Sequence, residues 1–373
     1  MGVLDGIRII EIAGLGPAPF CGMLLADMGA EVILIERASG SDLLALGKHA
    51  IIHRGKQSLA LDLKNSLAIA TVLKLIAGAD GVIEGMRPGV MERLGLGPEV
   101  CLQHNPQLVY GRMTGWGQTG PLAQAAAHDI NYIALSGALW FSGQPDAAPM
   151  APPTLVGDLG GGALYLAMGM LAAILHAKTG GAGQVIDAAI VDGSANLMNL
   201  LLSAHAAGQQ PFARGQGILD GPHWYGSYVC ADGLYVSIGA LEPQFNGLLF
   251  ERLGLAQDAD FQSAYNPRLW PQLRVRLNEL FRQHPRQHWI DLLEGSDACF
   301  APVLDPRQAM QHPHMQARAV YSAPDGLLQA APAPRFSHTP SDGSGQIPQR
   351  GQHGQAILQS LGLNPAEIAA LLP

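Results

Sequence analysis

Three ionisable side chains stand where proton chemistry is possible. His128 precedes Asp129, Asp158 precedes the run Gly160-Gly161-Gly162, and Glu242 precedes Pro243. Histidine titrates near neutrality and moves protons in both directions. A carboxylate can do the same once it is partly withdrawn from water. Singly, each residue has an ordinary explanation: one of thirteen histidines on a surface, and two acids capping helices. His128 and Asp158 are 158 − 128 = 30 residues apart, and no local spacing brings them together.

A second constellation imitates a dinucleotide site. Gly14-Leu15-Gly16-Pro17-Ala18-Pro19 follows a strand, and Glu36 ends the next one. The third glycine, which lets helix and sheet approach closely, is replaced by Pro19. Arg37 beside Glu36 suits a phosphate better than a ribose diol. The segment therefore reads as a strand-to-helix turn, not an NAD(P) site. Cys21, Cys101, Cys230 and Cys299 are widely spaced with no C-x-x-C pair. They are expected to be buried free thiols in a reducing compartment, with no metal and no disulfide framework.

The elements that must position these residues follow from the hydrophobic pattern. The chain has 373 residues, 48% of them hydrophobic and 14% charged, and a net charge of −8. That length favours two lobes, and that charge argues against a nucleic-acid partner. Ile7–Ile12, Glu31–Glu36, Ser58–Leu63, Gly81–Glu84, Leu108–Tyr110 and Val185–Asp187 read as strands. Helices are expected after Pro17 and over Leu67–Ile76. This alternation predicts an α/β fold with a Rossmann-like parallel sheet.

After Gly208 the style changes. Ser227–Cys230 and Leu234–Ile238 around Gly233 predict a β-hairpin, and helices follow over Gln244–Leu253, Trp270–Phe281 and Trp289–Leu293. These predict a smaller α+β domain. Ser322–Gly354 reads as a surface loop, and Asn364, Pro365 and Glu367 predict a capped last helix. Leu159–Ala177 carries no formal charge, yet its Gly- and Ala-rich make-up predicts a buried core helix rather than a membrane span. Asp5 and Arg8 interrupt the opening apolar run, so no signal peptide is expected and the location is expected to be cytoplasmic.

Four segments in order resemble the family III coenzyme A transferase superfamily. They are Gly6–Glu11 with Leu25–Val32, Arg54–Leu59 with Leu61–Lys64, Gly115–Pro121, and Gly180–Asp187. His128-Asp129-Ile130-Asn131-Tyr132 and Gly239–Phe245 are similar to its α-methylacyl-CoA racemase branch.

The resemblance implies that (2R)- and (2S)-2-methylacyl-CoA thioesters interconvert through an enolate. His128 and Asp158 would be the two acid/base groups, and Glu242 would support His128. The Gly160–Gly162 amides are expected to offer N–H groups to the enolate oxygen. Candidates for holding coenzyme A are Arg37, Lys56, Arg87 and Arg93, with Asp129 and Tyr132 near the thiol. Gln57 stands where the racemases usually carry a basic residue. No cofactor is implied, since coenzyme A is part of the substrate, and neither is a metal or membrane. The implied architecture is a large domain over 1–205 with 325–373 returning to it, a small domain over 206–324, and an interlocked homodimer in which the partner supplies Glu242. In the alternative, a transferase, Asp158 would be a nucleophile passing an acyl group between coenzyme A and a carboxylate.

Overall fold

Strand β1 (Arg8–Ile12) carries Ile9, Ile10 and Ile12 because both of its faces are covered. Ile10 and Ile12 belong to the hydrophobic cluster on one side of the sheet, and Ile9 to the cluster on the other. The same two-sided burial explains the apolar runs of β2 (Glu31–Arg37), β3 (Gln57–Leu61), β4 (Gly81–Glu84) and β5 (Val109–Thr114). With β6 (Gln184–Ala189) they form one parallel sheet in the order β3-β2-β1-β4-β5-β6. The chain winds outward from β1 to β3, then returns to lay β4 on the other edge of β1. Ligands of doubly wound sheets gather at that reversal, outside the carboxyl ends of the strands.

The computed structural model describes residues 2–38, 46–341, 343 and 345–372. These form two compact units. The first comprises 1–139, 151–197 and 322–373; the second comprises 140–150 and 198–321. Residues 140–150 go with the second unit because Arg214 gathers their backbone: its guanidinium donates to the carbonyls of Ser142 and Ala147 at 2.9 and 2.8 Å.

Of the two charged residues of β1, Glu11 is fully buried. The Lys56 ammonium donates to both of its oxygens, at 2.7 and 2.9 Å, and to the Pro19 carbonyl at 2.8 Å. Helix Pro17–Asp27 crosses above at Gly22, where a Cβ would lie 1.8 Å from the Glu11 carboxylate. Glycine is the residue that lets this helix cover a buried ion pair.

The apolar run before Lys178 is a helix, Leu164–Lys178, buried on one face only. Leu166, Met170 and Ile174 pack under the sheet, whereas Leu164, Met168 and Leu175 are 52%, 60% and 65% exposed. Burial of the whole helix, as its composition suggested, is not what the chain adopts.

In the second unit, β7 (Tyr225–Val229) and β8 (Tyr235–Gly239) form the antiparallel hairpin, and β9 (Phe300–Val303) adds to β8. Its core gathers Trp224, Tyr228, Leu277 and Phe281. Asn364 caps the last helix, Pro365–Leu371, and Glu367 closes the box back onto the Asn364 amide.

Candidate active site

The turns that leave β1 and β4 form adjacent walls of one cleft of about 530 Å³, lined among others by Leu15, Gly16, Arg87, Trp116, His128 and Asp158. Gly16 has φ +64° and ψ −116°, a conformation open only to glycine, and it turns the chain sharply into Pro17 at the head of helix Pro17–Asp27. A Cβ at Gly16 would stand 3.4 Å from Asp158 Oδ2, so the Asp158 carboxylate lies against this turn.

Asp158 sits in an unusual helical segment, Leu155–Ala163. The amide of Leu159 donates to Thr154 O at 3.0 Å and that of Leu164 to Leu159 O, both five residues back. This is π-helical spacing, rare and frequent at functional sites. Glycines make it possible. A Cβ on Gly157 would lie 2.4 Å from Asp129 Oδ1, and one on Gly161 would lie 2.4 Å from Ser194 Oγ. The segment begins at Leu155, so the amides of Gly160, Gly161 and Gly162 lie within its body and not at its start. The glycine run is a packing device here, and the expected set of free N–H donors is not formed by it.

Asp129 opens the next piece of the site. It is the first residue of helix Asp129–Ser136, and its Oδ1 accepts the Asp158 amide at 2.7 Å. The Asp158 carboxyl is half-buried and pushed from 3.8 up to about 6. Burial is the larger cause and the Asp129 charge the second, opposed by His128. His128 caps the same helix in extended backbone, its amide donating to Asn131 Oδ1 at 3.1 Å, and its imidazole is exposed to the cleft. The structure therefore brings His128, Asp129 and Asp158 together.

Tyr132 is on the buried side of that helix. Its ring meets Trp116 edge-on, with centroids 4.7 Å apart at 81°, and its hydroxyl donates to Ala127 O at 2.5 Å. Gly115 is obligatory beneath it, since a Cβ there would fall 1.9 Å from the ring. Burial, then the Asp158 charge, pushes the phenol up. Tyr132 thus anchors the loop that delivers His128.

The cations fall in four places. Arg87 is exposed at the mouth of the cleft. Arg37, at the exposed end of β2, lines a neighbouring cleft of about 570 Å³ with Lys64, and Met86 is common to both clefts. Lys64 was missed as a candidate, although it ends the quoted Leu61–Lys64 segment. Arg93 is exposed on helix Val90–Arg93 and lines neither cleft. Lys56, expected on a phosphate, is instead fully buried with its ammonium on Glu11. Gln57 begins β3 at the amino end of the strand, where its amide donates to Glu31 at 3.3 Å, so its difference from the racemases does not fall on this cleft.

Glu242 lies in the second unit as the residue capping helix Pro243–Arg252. Its backbone carbonyl accepts the Asn246 amide at 2.9 Å, but its exposed carboxylate makes no capping hydrogen bond. The side chain is not acting as a helix cap.

A raised carboxyl and a histidine at the reversal of a doubly wound sheet, with exposed arginines beside them, make an arrangement chemically able to hold an anionic small molecule and exchange a proton with it. Comparison gives the family. The sequence model of "CoA-transferase family III" matches residues 4–354, and the chain belongs to that family. It is similar to "Alpha-methylacyl-CoA racemase" of Mus musculus, 41% identical over 375 residues covering 99% of this chain and 96% of the mouse protein. The Homo sapiens protein of the same name is 38% identical over 372 residues, covering 99% and 96%. Among solved structures, a CAIB/BAIF family protein from Brucella suis superposes with TM-score 0.83 at 28% identity, covering 96% of this chain and 99% of that one.

Proposed function

We propose that this chain interconverts the (2R) and (2S) epimers of 2-methylacyl-CoA thioesters. The observation that carries the reading is a carboxyl raised to about 6 beside a histidine in one cleft, in a chain whose full-length relatives bear the racemase name. A carboxyl near 6 is mostly ionised at neutral pH yet still populated as an acid, so it can both take and return a proton. In one direction neutral His128 removes the α-proton, the electron pair moves into the thioester as an enolate, and protonated Asp158 delivers a proton to the other face. The reverse direction exchanges the roles.

Glu242 is assigned to orient His128 and stabilise its imidazolium, supplied by a second copy of the chain in an interlocked homodimer. Two features support a dimer: a Glu242 carboxylate unused by its own helix, and the exposed apolar stripe Leu164, Met168 and Leu175. Arg37, Arg87 and Arg93 are assigned to the phosphates of coenzyme A, with Lys64 added. Asp129 and Tyr132 are assigned to holding the catalytic groups in place. No resident cofactor enters the scheme, and the reaction is assigned to the cytoplasm.

The test is α-deuterium uptake from D₂O into each epimer of a 2-methylacyl-CoA, with no acceptor acid present. Both epimers should exchange and converge on one mixture, and His128→Ala should lose about 10²–10⁴-fold of the rate. No exchange, together with acyl transfer to an added carboxylic acid, would make Asp158 a nucleophile and this chain a transferase.

A further inference from the structure

Arg87 is exposed at the mouth of the active cleft, on the connection between β4, which ends at Glu84, and helix Val90–Arg93. Met86, its neighbour, lines both the active cleft and the adjoining one that holds Arg37 and Lys64. An exposed side chain on a short connection is placed only as well as the backbone beneath it is held.

The grip on this connection comes from β5. Arg112 stands there directly beside Glu84 of β4. It shares a face of the sheet with Tyr110, two residues before it, and not with Met113, which lines the cleft. Arg112 is 7% exposed and Glu84 is fully buried, and neither lines the active cleft or the one beside it. Arg112 Nε donates to Glu84 Oε1 at 2.9 Å, and the other Glu84 oxygen accepts the Met86 amide at 2.7 Å. The far edge of the same guanidinium donates to both oxygens of Glu92, at 2.7 and 3.3 Å, on helix Val90–Arg93. One planar cation thus ties the entry of the connection to the helix that follows it, a span that the point charge of an ammonium does not reproduce. Burial pushes the Glu84 carboxyl up, and the Met86 amide and then Arg112 draw it back down. Gln124 adds one bond, to Pro88 O at 3.2 Å.

We propose that Arg112, through Glu84 and Glu92, is a positioning residue for coenzyme A: it holds the connection 85–89 so that Arg87 meets the phosphates. This role rests on the assignment of Arg87 within the racemase reading and goes beyond it by naming a buried cation that acts without touching the substrate. A buried ion pair adds little stability over apolar residues of like volume. What the guanidinium adds is a fixed distance between the Met86 amide and helix Val90–Arg93, and that distance sets where Arg87 stands.

The experiment measures binding of free coenzyme A by calorimetry, and α-deuterium exchange with 2-methylbutanoyl-CoA and with 2-methylbutanoyl-pantetheine, which lacks the phosphates. The full-length enzyme is compared with Arg112→Lys, Glu92→Gln, Arg87→Ala and the double variant Arg112→Lys with Arg87→Ala. Lysine keeps a cation beside Glu84, and the Glu92 side chain is 45% exposed, so neither change strands a buried charge. Arg112→Lys should weaken coenzyme A binding about tenfold and raise KM for the CoA ester alike, with a smaller loss in the same direction for Glu92→Gln. The kcat for the CoA ester, and kcat/KM for the pantetheine ester, should stay within about twofold, a split that a generally damaged fold does not give. In the Arg87→Ala background, Arg112→Lys should cost nothing further. Equal losses on both esters, full additivity of the two changes, or unchanged binding in Arg112→Lys where Arg87→Ala weakens it would overturn the positioning role. Unchanged binding in Arg87→Ala would instead overturn the placement of Arg87 on the phosphates, and the role of Arg112 with it. Absence of exchange in the unmodified enzyme would overturn the racemase reading, a distinct result that leaves the binding comparison to judge Arg112.

Discussion

Asp129→Asn isolates what one neighbouring charge does to the Asp158 carboxyl. The amide keeps an oxygen able to accept the Asp158 N–H, now at 2.7 Å, so the backbone is held while the charge is removed. The carboxyl stands at about 6 against an ordinary 3.8, with burial the larger cause. Asp129 is the second cause of that rise, so removing its charge lowers the Asp158 carboxyl and the fraction of it protonated at neutral pH. At neutral pH roughly one Asp158 in ten is an acid in the unmodified enzyme, by the titration relation. In the variant that fraction would be smaller.

The sign follows: Asp158 must be protonated to deliver a proton, so that direction is lost as pH rises through its pKa. The variant should lose it at lower pH. The assay is the pH profile of deuterium exchange into the epimer whose re-protonation uses Asp158, followed from pH 5 to 8 at saturating substrate. The alkaline limb should move to lower pH, with the loss greatest at neutral pH and smallest at pH 5. A profile that keeps its limb in place while dropping evenly at every pH would refute the electrostatic role and leave Asp129 as a mere backbone anchor.

Lys56→Met should cost about 3–5 kcal/mol of stability by stranding Glu11 in the core, and the double variant Glu11→Gln with Lys56→Met should recover most of it. Urea unfolding measures both, and a variant of unchanged stability with weakened coenzyme A binding would return Lys56 to the phosphates. His223→Phe should stabilise the second unit by about 1–2 kcal/mol. The imidazole is fully buried, neither ring nitrogen has a hydrogen-bond partner, and it stacks on Phe250 at 5.6 Å. Burial, and then Arg274, pushes His223 from 6.5 down to about 3. In that window the unfolded chain binds a proton that the folded one refuses, so stability should fall as pH drops and the Phe variant should flatten the slope. Thermal unfolding at several pH values checks this, and a destabilised Phe variant would contradict it.

The large sheet was legible because strands buried on both faces must be continuously apolar, and the turn residues between them are ordinary. Strand β9 was not, because Phe-Ala-Pro-Val carries Pro302, which breaks the usual strand signature. As an edge strand it tolerates the missing donor. At the site, His128 and Asp158 were legible as residue types and in their matched context. The role of the glycine run was not: a glycine cluster after an acid reads as the start of a helix, and only the close approach of Asp129 and Ser194 shows that it is the interior of one. Lys56 misled for a similar reason. Its burial depends on Gly22 and Glu11, residues distant in sequence, and no local pattern announces a covered ammonium.

One short contact sets the spacing within the site. His128 and Asp129 are consecutive at the head of one helix, and Asp129 grips the backbone amide of Asp158. His128 and Asp158, the two proposed proton carriers, are thus the jaws of a caliper whose opening is locked at its hinge. The neighbouring cleft beyond Gly16 is walled by other stretches of chain, around 46–52 and 347–350. Those stretches take no part in the contact between Asp129 and Asp158.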